Sequence, residues 1–267
     1  AYNLADGTFN TALGYGALAT SVDGDYNTAI GYLALEDYEG GDGEGHNTAI
    51  GNSSQLNATT GEFNTSLGSL SMGTGVTTGD GNVALGYGSL LNSTTASNNI
   101  AIGFESMRAS SEALYNVAIG FRSLYTNVEG DSNVAIGYDA LRVFNPSNGS
   151  TYNTAVGHQA GKAITTGIQN TIIGSLAGDA LTTGAGNTAV GYQALTSEDA
   201  HGRNTAVGYN SLATLNAGSE GNNTAIGYKA GEGMTTGVQN TILGSLAGDA
   251  LTTGQQNVLL GYFAGGG

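Results

Sequence analysis

A nine-residue unit, clean in Asn133–Leu141 as N-V-A-I-G-Y-D-A-L, recurs fifteen times and dictates what this chain can fold into. The copies begin at Asn10, Asn27, Asn47, Asn64, Asn82, Asn99, Asn116, Asn133, Asn153, Asn170, Asn187, Asn204, Asn223, Asn240 and Asn257. Most lie 17 residues apart, with longer gaps of 18, 19 and 20. Position 2 is Thr, Val or Ile, position 3 usually Ala, position 4 always Ile, Leu or Val, position 5 always Gly, and position 8 always Ala or Ser. Such a unit cannot bury a core alone, so a fixed period of this length implies a solenoid whose neighbouring repeats cover one another. The repeat spans nearly all 267 residues, and 1–267 therefore reads as a single array.

Thr, Val, Ile and Tyr favour pleated strands, while a Gly at every fifth position defeats a helical period. Each unit is read as a strand followed by a bend, then a second strand over pairs such as Ala34-Leu35, Ser106-Met107 and Ser123-Leu124. Gly replaces that Leu at Gly161, Gly178, Gly231, Gly248 and Gly265, and in four of those copies an apolar residue follows three places on: Ile164, Leu181, Met234 and Leu251. T-T-G corners such as Thr165-Thr166-Gly167 lead back to the next Asn, with Gly suited to positive φ. Extra residues fall at 36–46, 141–152 and 213–222, which places the longer loops on one edge, where contacts with other molecules are usual.

Two-residue alternation puts Thr28 and Ile30 on one face and Asn27, Ala29 and Gly31 on the other. Both faces are small or apolar, and such strands are usually covered on both sides. The branched residues from Leu13 to Leu260 read as a buried apolar spine, with each Asn stacked on its neighbours above and below. The structural ladder is represented by Asn116, Ile119 and Gly120, by Asn133, Ile136 and Gly137, and by Asn187, Val190 and Gly191. A coil of 17 residues is too thin to cover both faces of its strand, so neighbouring chains are expected to cover the second.

The unit N-[TV]-A-I-G-x-x-[AS] resembles the head repeat of trimeric autotransporter adhesins, S-V-A-I-G-x-x-S. It is still more similar to repeats of phage tail-fibre and related bacterial surface proteins, in which N-T-A-V-G-Y-x-A-L is typical. The resemblance implies a left-handed parallel β-roll in which three chains wind one rod used to reach or attach to cell surfaces. This chain departs from the adhesin heads in its longer coil, in Thr for Val, and in the Phe or Tyr after the Gly.

Composition narrows the chemistry. Only 10% of residues are charged and the net charge is −15, so nucleic acid is repelled. With no Cys, neither disulfides nor thiolate metal sites are possible. No run of 18 apolar residues and no leader pattern occurs, so neither membrane insertion nor a signal peptide is expected.

His46, His158 and His201 fall at different places in the repeat and show no partner at metal or triad spacing; His158 stands where most copies carry Tyr. Acidic corners at Asp23, Asp25, Asp42, Glu44 and Asp80 could offer oxygen ligands to calcium, although the spacing fits no calcium loop, and no other cofactor is expected. The aromatic row Tyr15, Tyr32, Tyr87, Phe104, Phe121, Tyr138, Tyr192, Tyr209, Tyr228 and Tyr262 reads as packing rather than as a platform for sugars. The T-T-G corners suggest an ice-binding array broken at the coils from Asn187 and Asn204, and no pair of strand carboxylates suggests a glycan-cleaving enzyme. The sequence thus points to an all-β parallel solenoid of about 15 coils. It is expected to be a homotrimeric fibre or adhesin segment of a virion or bacterial surface, non-enzymatic, contacting a receptor or glycan; an ice-binding or glycan-binding solenoid is the alternative.

Overall fold

The computed structural model describes residues 6–40, 44–147 and 149–266. The described residues contain no helix, and the chain is a parallel β-solenoid with one three-residue strand per repeat. It divides after Ser132 into two compact units. The first holds β1 (Thr11–Leu13), β2 (Thr28–Ile30), β3 (Thr48–Ile50), β4 (Thr65–Leu67), β5 (Val83–Leu85), β6 (Ile100–Ile102) and β7 (Val117–Ile119). The second holds β8 (Val134–Ile136), β9 (Thr154–Val156), β10 (Thr171–Ile173), β11 (Thr188–Val190), β12 (Thr205–Val207), β13 (Thr224–Ile226), β14 (Thr241–Leu243) and β15 (Val258–Leu260). Within each unit every strand pairs with the next in parallel, position on position: Ile100 with Val117 and Ala101 with Ala118, or Thr188 with Thr205 and Val190 with Val207.

The Gly at position 5 ends each strand. At Gly103, φ is +134°, and an added Cβ would fall 2.4 Å from the carbonyl oxygen of Gly120 in the next coil. No L side chain fits that approach, which is why position 5 never varies.

The expected second strand does not form. Leu18, Leu35, Met72, Leu90, Met107, Leu124 and Leu141 sit at φ between 48° and 51°, in the left-handed region, inside a run of turns. A left-handed residue costs roughly 1–2 kcal/mol, and full burial of a Leu or Met side chain returns about 1.5–3 kcal/mol, so the turn is sustainable where the side chain is buried. All seven are buried completely. A propensity reading sees an apolar residue and infers a strand; the solenoid uses it as an inward plug on a corner.

The inner and outer faces of the strand are also the reverse of the expected arrangement. Ala29, Ala49, Ala84, Ala101, Ala118 and Ala135 at position 3 are wholly buried. The position-4 residues expected to form a buried spine face outward: Leu67 is 49% exposed, Ile173 38% and Leu243 44%, with Ile119, Ile136 and Val190 half-buried. The coil is thin, and the plug at position 9 leaves space only for Ala beneath the strand. Where position 9 is Gly, position 3 can enlarge: a Cβ on Gly178 would lie 3.1 Å from Cδ1 of Ile172, and one on Gly248 3.1 Å from Cδ1 of Ile242. The Leu-to-Gly exchanges are therefore volume trades within the core.

A further inward row lies eleven residues after each Asn, at Tyr38, Ala58, Ser93, Ser110, Phe144, Ile164, Leu181, Leu215 and Met234, all buried. The longer loops thus begin inside: Tyr38, Phe144 and Leu215 plug the core before the remaining inserted residues return along the surface.

Candidate functional site

No cavity or cleft opens among the described residues, which instead present open surfaces. Those surfaces are assembled from rows of side chains that the in-register strands repeat along each unit.

The Asn row is internal. Asn116 and Asn187 are almost completely buried, as is Asn133. Each side-chain oxygen accepts the backbone N–H of the next Asn, as in Asn116 N to Asn99 Oδ1 at 2.9 Å, Asn153 N to Asn133 Oδ1 at 3.0 Å and Asn204 N to Asn187 Oδ1 at 3.0 Å. In most coils the amide nitrogen donates to a carbonyl 14 residues on, as in Asn116 Nδ2 to Gly130 O at 2.9 Å and Asn187 Nδ2 to His201 O at 3.1 Å. Only a side chain with an acceptor and a donor on one short stem can serve both corners. Gly120, Gly137 and Gly191 turn at φ +132°, +136° and +136°.

The outward face consists of positions 2 and 4, with no charged residue in either row of any coil. Over β5–β7 it is wholly apolar: Val83, Ile100 and Val117 beside Leu85, Ile102 and Ile119. Over β9–β14 the second position is instead an unbroken threonine row, Thr154, Thr171, Thr188, Thr205, Thr224 and Thr241, in register from strand to strand.

The aromatic residues after the Gly border this face as exposed stacks. Tyr87, Phe104 and Phe121 stack at 5.2 and 5.5 Å, Tyr192, Tyr209 and Tyr228 at 5.4 Å each, Tyr15 on Tyr32 at 5.5 Å, and Tyr138 on His158 at 5.1 Å. Because each ring covers its neighbour's face, a stack presents mainly ring edges, whereas a sugar needs a ring face. A second stack was hidden from sequence reasoning: Phe9, Tyr26, His46 and Phe63, one residue before the Asn, at 5.0, 4.7 and 5.1 Å. Aligning the copies on Asn and reading the column before it would have found it. His46 and His158 are thus stack members.

Three of the corner carboxylates, Asp25, Asp80 and Asp131, are engaged with the fold. Asp25 Oδ1 accepts from the Thr8 amide and hydroxyl, Asp80 Oδ1 from the Glu62 amide at 2.9 Å, and Asp131 Oδ1 from the Leu114 amide at 2.7 Å. Each carboxylate satisfies a backbone donor of the preceding coil. Asp42 lies outside the described residues. Burial, followed by the charges of Glu44 and Asp80, raises the Glu62 carboxyl above its ordinary pKa.

His201 does have a partner, contrary to its sequence reading. Its Nδ1 lies 3.1 Å from Glu198 Oε1, and Glu198, Asp199 and His201 bring ligand-type atoms within 4.8 Å of one another. Glu198 is fully buried in the inward row otherwise held here by Leu181 and Leu215. Its oxygens also accept from the backbone amides of His201 at 3.2 Å and Ala217 at 3.1 Å. The group reads as a satisfied buried carboxylate that ties one coil to the next. Its signal in sequence was a Glu in an apolar column.

Two classes of threonine separate cleanly. Corner hydroxyls are spent on the next coil: Thr165 Oγ1 donates to Thr182 O at 3.2 Å, Thr182 Oγ1 to Asp199 O at 2.6 Å and Thr235 Oγ1 to Thr252 O at 3.3 Å. The six strand threonines of the second unit make no side-chain hydrogen bond among the described residues, and they are half-buried or exposed. Among the described residues there is no helix long and apolar enough to cross a membrane. No family model, no curated protein and no solved structure matches the chain.

Proposed function

We propose that the chain is a structural segment of an extracellular fibre or surface adhesin, carried by a virion or a bacterial cell, whose work is mechanical rather than catalytic. The observation that supports this most directly is the outward face of β5–β7. In a chain of net charge −15, two adjacent rows of Val, Ile and Leu stand half-exposed with no charge among them, and Ile100 is 38% exposed. Such a face fits another face of the same kind, and the simplest partner is a second copy of the same strands. Self-association, with a homotrimer as the expected form, would bury this apolar area while leaving the loops from 36, 141 and 213 free to meet a cell-surface receptor or glycan.

Sedimentation equilibrium of the whole chain tests the reading. A trimer mass is expected, and Ile102→Asp should shift the population to monomer while the far-ultraviolet spectrum stays unchanged. A wild-type chain that remains a folded monomer across the concentration range removes the reading.

A further inference from the structure

We infer that the strand face of the second unit, β9–β14, is a binding surface for ice, with the threonine row and the branched row beside it as the contact. It goes beyond the fibre reading and does not depend on it.

The first observation is regularity. Thr154, Thr171, Thr188, Thr205, Thr224 and Thr241 pair in register without a break, and Val156, Ile173, Val190, Val207, Ile226 and Leu243 run parallel two residues away. Adjacent parallel strands are separated by about 4.8 Å, close to the shortest oxygen repeat of hexagonal ice, so successive hydroxyls fall near a lattice period. The second observation is availability. The corner threonines spend their hydroxyls on carbonyls of the next coil, but the six strand threonines make no side-chain hydrogen bond among the described residues. Each therefore keeps a donor and two acceptor positions for water.

Chemistry then selects the occupant. A protein partner would have to supply six matching polar groups along one line, because an unsatisfied buried hydroxyl costs roughly 1–3 kcal/mol. Lattice water offers donor and acceptor at every site, and the methyl groups of Thr, Val and Ile between the hydroxyls suit the cages that water forms over small apolar groups. The two rows carry no charge, so no tightly hydrated ion disrupts that order. The all-apolar rungs β5–β7 lack the hydroxyls and suit a protein contact instead. The broken T-T-G array seen in the sequence is therefore the wrong threonine set.

The test is ice growth in solutions of the whole chain, read as the gap between melting and freezing temperatures and as partition of protein into a slowly grown ice shell. Wild type is expected to open a gap, facet the crystals and enrich in the shell. Thr188→Lys/Thr205→Lys should abolish all three, whereas Thr183→Lys, on an exposed corner, should keep them. Should the lysine pair disturb the circular dichroism spectrum, Thr188→Val/Thr205→Val preserves shape and should still lose most of the gap. Folded wild type that grows ice as buffer does, or face variants as active as wild type, overturns the inference. Sedimentation of the same sample decides the fibre reading separately.

Discussion

Alanine and isoleucine, adjacent in every clean repeat, have opposite fates in this solenoid. Ala118 is sealed beneath the strand and Ile119 is half-exposed above it. Ala118→Leu should therefore overpack the coil and cost about 1–3 kcal/mol in a denaturant titration, whereas Ile119→Asp should lower stability less and act mainly on association. The sequence alternation was enough to assign these residues to different faces. Which face was inner could not be read from hydrophobicity, because the smaller residue is the buried one; the clue lay in trades such as Ile172 with Gly178, which only a packed interior requires. Tyr38 carries a second residue-scale consequence. Burial, then the charges of Glu62, Glu44 and Asp80, pushes its phenol well above the ordinary value. Below about pH 10 folded and unfolded chains both keep this proton, so its stabilising contribution is complete. At higher pH the unfolded chain releases it while the folded chain holds it, and stability falls. Thermal melts through this range should show an alkaline loss in wild type that Tyr38→Phe reduces.

At the scale of a single coil, the strand was legible and the corner was not. Asn, branched residue and Gly announce β2 or β11 directly, because each has a local backbone reason. Leu35 and Met107 gave no sign of left-handed backbone, since nothing in an apolar side chain reports a φ near 50°. The Glu198 contact and the early stacked ring column depend on which residues lie one coil apart, and become visible only after the repeats are aligned. Coil-to-coil partnership also explains a polar patch in the Ala and Leu core. Gln55 Nε2 donates to Ser66 Oγ at 2.9 Å, and Ser54 Oγ lies 2.5 Å from Ser66 Oγ and 3.0 Å from Ser71 Oγ, all four side chains being buried. Ser66→Ala should cost about 1–3 kcal/mol by stranding buried polar groups, and Gln55→Leu/Ser66→Ala should recover much of it. A double-variant loss equal to the sum of the Gln55→Leu and Ser66→Ala losses would show that the pair is not coupled.

For the molecule as a whole, what each repeat shares with the next is the same: its Asn oxygen accepts the following amide, and its Gly corner rests against the following Gly carbonyl. Nothing in that handover records which repeat is speaking. Removal of Asn170–Gly186, one full period, should therefore rejoin β9 to β11 with the Asn bonds intact, whereas removal of 16 or 18 residues at the same place should not. Limited proteolysis would separate the outcomes, the first variant keeping a resistant second unit and the others being cut within it. The near-identity of Asn153–Gly186 and Asn223–Gln256, 70 residues apart, fits the same rule. A gene built this way can lengthen or shorten its product by copying errors between like segments, and selection can tune reach without first inventing a new junction.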